Sequence, residues 1–308
     1  MSEHSSDEAN PFHSTSTNES ADASNVGTGL APVLDSCSDL DDAPILDSCS
    51  DLDPSPVLLA PVLNPSHTQN KSVLQPFLDG LYSLGLELNE EQLEQFLRYR
   101  HELLDWNTRM NLTSITNPGE VLIKHFLDSL SLLMIYDTPA AHVLDIGAGA
   151  GFPGLPLKIV RPQWHIVLLE ATGKKVRFLQ HIIDTLQLHD VEAVHGRAEE
   201  MAHKAEYRAS FDLVTARAVA PLPTLLEYAA PFTRVGGMMI FPKKGDLTEE
   251  LARGKRAASH LGAHFKADIH VTLPGLDDGR RLLVWEQARN CPEQYPRSGG
   301  VITKNPLG

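Results

Sequence analysis

Three cysteines in 308 residues, Cys37, Cys49 and Cys291, are too few and too scattered for a disulfide framework or a zinc site. That usage fits a reducing cytoplasm. No apolar run approaches the roughly 20 residues of a membrane span, so no membrane partner is expected. The N-terminus lacks the basic-then-apolar order of a signal peptide. It is also acidic, which argues against a transit peptide. The 14 histidines show no metal-ligand spacing, and no GxSxG elbow is present, so neither a metal nor a serine nucleophile is expected. Basic residues are short as well: 26 Lys and Arg stand against 40 Asp and Glu, a net charge of −14. The deficit is local. Residues 1–72 hold 12 acids and one lysine, whereas the remainder holds 28 acids and 25 bases. A body so close to neutral does not exclude an RNA substrate, because local basic patches matter more than the total.

Residues 1–72 read as a disordered acidic tail, rich in Ser, Asp, Asn and Pro and nearly free of aromatics. They contain a 12-residue repeat, Ala31–Asp42 and Ala43–Pro54, whose opening is echoed at Ala60–Leu63. Two copies with little apolar content cannot build a solenoid. Residues 73–138 read as a helical cap. Leu74, Phe77, Leu78 and Leu81 recur at helical spacing, and Gly85 can end that helix. Asn89 and Gln92 form a capping box for a second helix carrying Leu93, Phe96, Leu97, Leu103 and Leu104. Asn117 and Pro118 start a third, whose inner face is Val121, Leu122, Phe126, Ser129, Leu130 and Leu133.

The stretch Val143–Gly154 organises the rest of the chain. Val143, Leu144 and Ile146 read as a strand covered on both faces. Gly147, Gly149 and Gly151 then let the backbone turn sharply beside a ligand, and Pro153 suits the first turn of a helix. From 139 to 289, strands and helices alternate, which argues a doubly wound, mostly parallel sheet. The strands are 142–146, 165–169, 191–195, 211–216 and 237–242, followed by a hairpin of 265–273 and 281–287. Residues 290–308 read as a polar C-terminal tail.

A GxGxG loop serves several nucleotide-binding families. Asp145 before it and Glu170 at the end of the second strand narrow the choice, since an acid there can accept both ribose hydroxyls of a nucleoside. A dinucleotide fingerprint wants glycine where Phe152 stands. The pattern therefore indicates S-adenosylmethionine, which carries adenosine and no phosphate. Gly196–Glu200, after the third strand, offers an acid and backbone N–H groups for an adenine, with a solvated helix start as an equal reading. Arg217, after the fourth strand, would face the methyl-transfer region and hold a phosphate or carboxylate, with a structural salt bridge as the competing reading. Lys243 and Lys244 suit an RNA backbone, with a solvated turn as the competing reading. His125 and Asp128, three apart on one helix, read as a contact that fixes the cap rather than a proton relay.

Together these residues resemble the RsmG (GidB) family of 16S rRNA guanine-N7 methyltransferases, from about Leu93 to Leu307. The resemblance is carried by Asn107–Ile115, Lys124–Leu130, Val143–Pro156, Lys174–Leu179, Gly196–Glu199, Thr215–Val219 and Lys243–Gly245, with Tyr295–Arg297 and Lys304–Leu307 at the end. Phe-Pro-Gly after the loop is more specific than the loop itself. The tail departs from the family in being poorer in lysine. The resemblance implies a Rossmann-like class I S-adenosylmethionine-dependent methyltransferase: an α/β fold with a mostly parallel seven-stranded sheet and an N-terminal helical cap. It implies cofactor contacts at Gly147, Phe152, Glu170, Ala171, Thr172, Ala198, Glu199 and Arg217. It also implies methylation of guanine 527, in the 530 loop, within the 30S subunit or an assembly intermediate, by a cytoplasmic monomer. Guanine N7 already has a free lone pair, so no general base is assigned. Two other readings are a dinucleotide-dependent oxidoreductase, opposed by Phe152, and a non-catalytic RNA-binding assembly factor, opposed by the intact Asp145, glycine loop, Glu170 and Arg217.

Overall fold

A computed structural model describes residues 71–276 and 278–308. The expectations for residues 1–70, repeats included, lie outside the described residues. Everything described belongs to the unit Pro61–Gly308.

Seven strands form one sheet: β1 (His142–Ile146), β2 (His165–Glu170), β3 (Val191–His195), β4 (Phe211–Thr215), β5 (Thr233–Lys244), β6 (Ala263–His270) and β7 (Arg280–Gln287). Their spatial order is β3-β2-β1-β4-β5-β7-β6. The first five pair in parallel, and β7 inserts antiparallel between β5 and β6. The order reverses between β1 and β4, and ligands in open α/β sheets bind beyond the carboxyl ends of the strands at such a reversal.

The middles of β1, β2, β4 and β5 read as apolar runs because successive side chains feed two cores. Val143, Ile166, Leu168, Leu213 and Ile240 join one. Their neighbours Leu144, Val167, Leu169, Val214 and Phe241 join the other. Period-two alternation with both faces covered leaves no polar face to mark the strand. On the first face lie α5 (Gly154–Val160), α6 (Gly173–Thr185) and the helical cap. On the second lie α7 (Ala198–Met201), α8 (Leu222–Ala229) and α9 (Thr248–Leu261).

The cap opens with α1 (Lys71–Ser83) and α2 (Glu90–Asn107). The capping box is present: Gln92 N–H donates to Asn89 Oδ1 at 2.8 Å, and Asn89 N–H donates to Gln92 Oε1 at 3.1 Å. Asn117 Oδ1 likewise accepts from the N–H groups of Gly119 and Glu120. The third helix departs from expectation. It runs as α3 (Pro118–Val121), a π-helical stretch Leu122–Leu127, α4 (Asp128–Leu130) and a 3-10 turn Ser131–Met134. From Val121 to Leu133 every residue except Lys124 is buried. A π-turn is wider than an α-turn and so changes which side chains face inward after it. The stripe expected from a 3.6-residue period therefore names only part of the buried set.

Two further expectations are corrected. Pro153 stands at the N-cap position of α5, one residue before its first turn. Residues 290–308 are not a free polar tail: Cys291, Tyr295 and Ile302 are buried, and α10 (Gly299–Lys304) packs against the body near α8. Among the described residues no helix is long and apolar enough to cross a membrane, and no group of three His, Cys, Asp or Glu is placed to hold a metal.

Candidate functional site

The carboxyl ends of β1, β2, β3 and β4 surround a cavity of about 480 Å³. That is the size class of small-molecule sites. Of the eight residues expected at a cofactor, Gly147, Ala171, Ala198 and Glu199 line it. Glu170 sits between two lining residues, Leu169 and Ala171. Thr172 follows at the start of α6.

The loop after β1 is held from several directions. Gly147 N–H donates to Leu169 O at 2.7 Å, which ties the loop to β2. Glu170 Oε2 accepts the Gly149 N–H at 3.0 Å, and Oε1 accepts the Thr172 N–H at 2.8 Å. Each oxygen keeps a second lone pair, so the carboxylate can order the loop and still accept from a ligand hydroxyl. Gly147, Gly149 and Gly151 all have positive φ, at 68°, 62° and 91°. They differ in surroundings. A Cβ on Gly151 would meet Leu155 Cδ1 and Tyr99 Oη, whereas one on Gly149 would meet nothing nearer than Gly147 O at 3.7 Å. Gly151 is therefore a packing glycine, whereas Gly149 leaves open space beside the backbone, and the loop meets the cavity itself at Gly147.

Asp145 lies beneath the loop with no exposure. Its Oδ2 accepts the Gly154 N–H at 2.9 Å and so fixes the start of α5. Its Oδ1 has no partner, and burial raises the carboxyl pKa to about 7. Tyr99, which helical periodicity did not single out, is buried and donates its hydroxyl to Ala150 O.

Phe152 and Arg217 lie away from the cavity lining. The Phe152 ring is buried, stacked on His125 at 4.5 Å between centroids and on Tyr99 at 5.6 Å. Arg217 covers that ring at 4.9 Å. Its guanidinium donates to Asp128 Oδ2 at 2.9 Å and to His125 Nδ1 at 2.9 Å. Arg217 thus has the structural salt bridge that sequence alone ranked second. Since arginine only donates, His125 Nδ1 is the acceptor, and its Nε2–H points to Thr113 Oγ1 at 2.7 Å. Burial, reinforced by the Arg217 charge, lowers the His125 pKa to about 3, so the ring is neutral. His125 and Asp128 fix the cap by meeting Arg217, not each other. Arg280 also pairs with Asp128, a partner that the sequence did not signal.

A second cavity, of about 440 Å³, opens beside this network, with Lys124, Lys243, Lys244, Arg280 and Arg281 around it. Lys243 is tied down, donating to Ala220 O at 3.0 Å and to Glu250 Oε1 at 2.7 Å. Other basic residues are spent differently. Arg253 and Arg256 hold Gly308 O, and Lys255 lies over the Phe265 ring. The C-terminal segment closes the first cavity with Thr303 and Pro306, which no sequence signal had placed there.

This strand order, with a glycine loop after β1 and an acid ending β2, defines a class I S-adenosylmethionine-dependent methyltransferase. The cofactor fits the residues present: the loop is open at Gly149, Glu170 has acceptor capacity to spare, and the cavity is large enough. The model of the GidB family, rRNA small subunit methyltransferase G, matches residues 92–274, and the chain belongs to that family. The ribosomal RNA small subunit methyltransferase G of Dehalococcoides mccartyi (strain CBDB1) is 50% identical over 228 residues, covering 74% of this chain and 97% of the relative. Its namesake from Lachnoclostridium phytofermentans is 44% identical over 232 residues, covering 75% and 96%. That from Roseiflexus castenholzii is 44% identical over 225 residues, covering 73% and 96%. Family membership leaves the oxidoreductase and the non-catalytic assembly factor without support.

Proposed function

We propose that this chain transfers a methyl group from S-adenosylmethionine to N7 of guanine 527 in 16S rRNA. The observation that carries the reading is the pairing of two cavities across one loop. Val219 and Ala220 line the first, and Arg217 and Ala218 line the second. The relatives are named for small-subunit rRNA, which supplies the substrate class.

When bound, S-adenosylmethionine supplies a methyl group on a sulfonium, an electrophile that needs no further activation. Gly147, Ala171, Ala198 and Glu199 would form the walls of its site, and Glu170, whose carboxylate already orders the loop, would accept from its ribose hydroxyls. Thr172 holds the Glu170 carboxylate in place through its N–H. Phe152 contributes by supporting the loop from the core side, and Arg217 by fixing the partition between the cavities. Guanine N7 already carries a free lone pair, so no side chain of this chain would have to remove a proton for it to accept the methyl group that the cofactor would supply. The neutral His125, with its one lone pair engaged by Arg217, is not free to act as a base. Catalysis is then a matter of positioning, water exclusion and charge stabilisation.

We take the working partner to be the 30S subunit or an assembly intermediate and the compartment to be the cytoplasm, a reading supported by relatives named for small-subunit rRNA. We take the protein to act as a monomer; among the described residues the exposed large apolar side chains are few, Tyr82, Met134, Val219, Val235 and Val301. Residues 1–72 are dispensable for the chemistry, a reading supported by the family match starting at residue 92.

The test is to incubate purified protein and S-adenosylmethionine with 30S subunits lacking the modification, then map N7-methylguanosine in the rRNA. One new methylated guanine, in the 530 loop, is expected. Absence of transfer, or transfer to another atom, would overturn the reading.

A further inference from the structure

The second cavity raises a problem of charge. Lys124, Lys243, Lys244, Arg217, Arg280 and Arg281 all line it, outnumbering the acids there although each is ion-paired to a carboxylate. Such a surround attracts an RNA backbone. It also opposes the reaction, because a purine methylated at N7 becomes a cation. An anion inside the cavity would offset that charge as it develops.

Two carboxylates line the cavity, Asp128 and Glu250. Asp128 is already engaged. Its side chain is only 2% exposed, and its Oδ2 takes both Arg217 and Arg280. Glu250 is more open, with its side chain 27% exposed. Its Oε1 accepts the Leu222 N–H at 2.5 Å and the Lys243 ammonium at 2.7 Å. Those two contacts hold the carboxylate in one orientation. No hydrogen bond among the described residues reaches its Oε2.

Apolar side chains complete the cavity. Ile115, Leu247, Val271 and Leu282 offer surfaces against which a flat base can lie. The partition facing the cofactor side is the Arg217–Ala220 loop. Ala218 there has φ at 57°, a costly conformation for a residue with a side chain. The turn puts Ala218 on one cavity and Val219 on the other.

We propose that this cavity receives the acceptor guanine and that Glu250 selects it, its Oε2 accepting a hydrogen bond from the exocyclic amino group on C2. The proposal rests on the methyltransferase reading above. Adenine has no amino group at C2, so the carboxylate discriminates between the two purines. The amino group and N7 lie at opposite ends of guanine. Gripping the first at Glu250 leaves the second directed at the partition. The same carboxylate faces a ring that turns positive, so the hydrogen bond strengthens as methyl transfer proceeds.

The experiment compares the wild-type protein with Glu250→Gln on two substrates. These are 30S subunits reconstituted with rRNA carrying either guanine or inosine, which lacks the C2 amino group, at the target. S-adenosylmethionine binding is measured by calorimetry in parallel. Glu250→Gln should bind the cofactor as the wild type does and methylate the guanine substrate at least about tenfold more slowly. Inosine should slow the wild type by about tenfold or more, yet slow Glu250→Gln by less than about threefold, because both changes remove the same contact. An equal inosine penalty in the two proteins overturns the proposal, as does an unaltered rate or a weakened cofactor affinity in Glu250→Gln. If the glutamine variant does not fold, Glu250→Asp, which draws the carboxylate back by one carbon, replaces it. It should show a reduced inosine penalty, and an undiminished one overturns the proposal. Failure of the wild type to methylate the guanine substrate would instead reject the methyltransferase reading itself.

Discussion

Arg217, at the end of β4, and Asp128, in the helical cap, meet at 2.9 Å in a pair whose carboxylate is almost wholly buried. Their contact joins two segments 89 residues apart and ties the cap to the sheet. Removing one partner of a buried pair costs stability because the other charge is left behind. Here Arg280 remains on Asp128, which softens the loss. Arg217→Ala should therefore cost about 2 kcal/mol and lower the melting temperature of the ligand-free protein by roughly 4–8 °C. Methyl transfer should also fall at least about tenfold, because the partition between the cavities loses its anchor. Arg217→Lys should recover only part of either loss, since one ammonium does not reproduce the planar fork that serves both Asp128 and His125. Thermal melts and single-turnover assays on 30S subunits report the two effects. A melting temperature equal to the wild type's would show that the pair adds nothing to the fold.

Gly149 and Gly151 should separate binding from folding. Both have positive φ, so any side chain is strained there. Gly149→Val should still fold, because the added carbon enters open space, but it should weaken S-adenosylmethionine binding at least about tenfold. Gly151→Ala drives a methyl group into Leu155 and Tyr99 and should cost about 2–3 kcal/mol of stability. Urea unfolding and calorimetry on both variants decide the matter. Equal cofactor affinity in wild type and Gly149→Val would place the ligand elsewhere.

Asp145 should make stability depend on pH. Its carboxyl pKa, about 7 in the folded chain against 3.8 as the ordinary value, is raised by burial. Between those values the folded state holds a proton that the unfolded state has released. Stability therefore falls as pH rises through this window, by up to about 1.4 kcal/mol per pH unit, and the loss is complete above pH 7. Asp145→Asn carries no charge and should lose this dependence. Between pH 5 and pH 8 the wild type should lose about 2.6 kcal/mol more than the variant in urea titrations. Parallel pH profiles for the two proteins would remove Asp145 as the source.

The sheet was largely legible because β1, β2 and β4 are short, mostly apolar and bounded by turn residues, and strands and helices alternate along the chain. The caps at Asn89 and Asn117 were legible because capping is a local exchange between a side chain and nearby N–H groups. The glycine loop and Glu170 were legible from their order along the chain. What escaped depends on distance or on irregular backbone. Tyr99 looks like any helix residue until Ala150 is brought to its hydroxyl. The π-helical turn leaves no mark in a 3.6-residue pattern. Phe152 reads as a loop residue beside a ligand, but its ring is claimed by a stack of aromatic side chains from the cap. Glu250 looks like an ordinary acid in the first turn of a helix until Lys243 and Leu222 converge on it.

Glu227 is the least legible of all: an acid within the apolar helix α8, with no exposure. Its partner stands 70 residues away. Arg297 meets it through the backbone N–H at 3.0 Å, Nε at 2.8 Å and Nη2 at 2.7 Å. Arg297 supplies every hydrogen bond described at that carboxylate, and it immediately precedes the segment that brings Thr303 and Pro306 to the first cavity. Arg297→Ala should leave a buried carboxylate with only one backbone N–H. The expected cost is about 3–5 kcal/mol, well beyond that of Lys304→Ala on the exposed face of α10. S-adenosylmethionine affinity should drop with it, because the C-terminal wall of the cavity loses its attachment. Glu227→Gln keeps the shape and removes the charge, so adding it to Arg297→Ala should restore about 2 kcal/mol. Urea unfolding of the two single variants and the double variant measures this coupling. An Arg297→Ala protein within about 0.5 kcal/mol of the wild type would show that the pair does not pin the C-terminal segment. Additive single-variant effects would show that the charge of Glu227, once abandoned, is met by water rather than left buried.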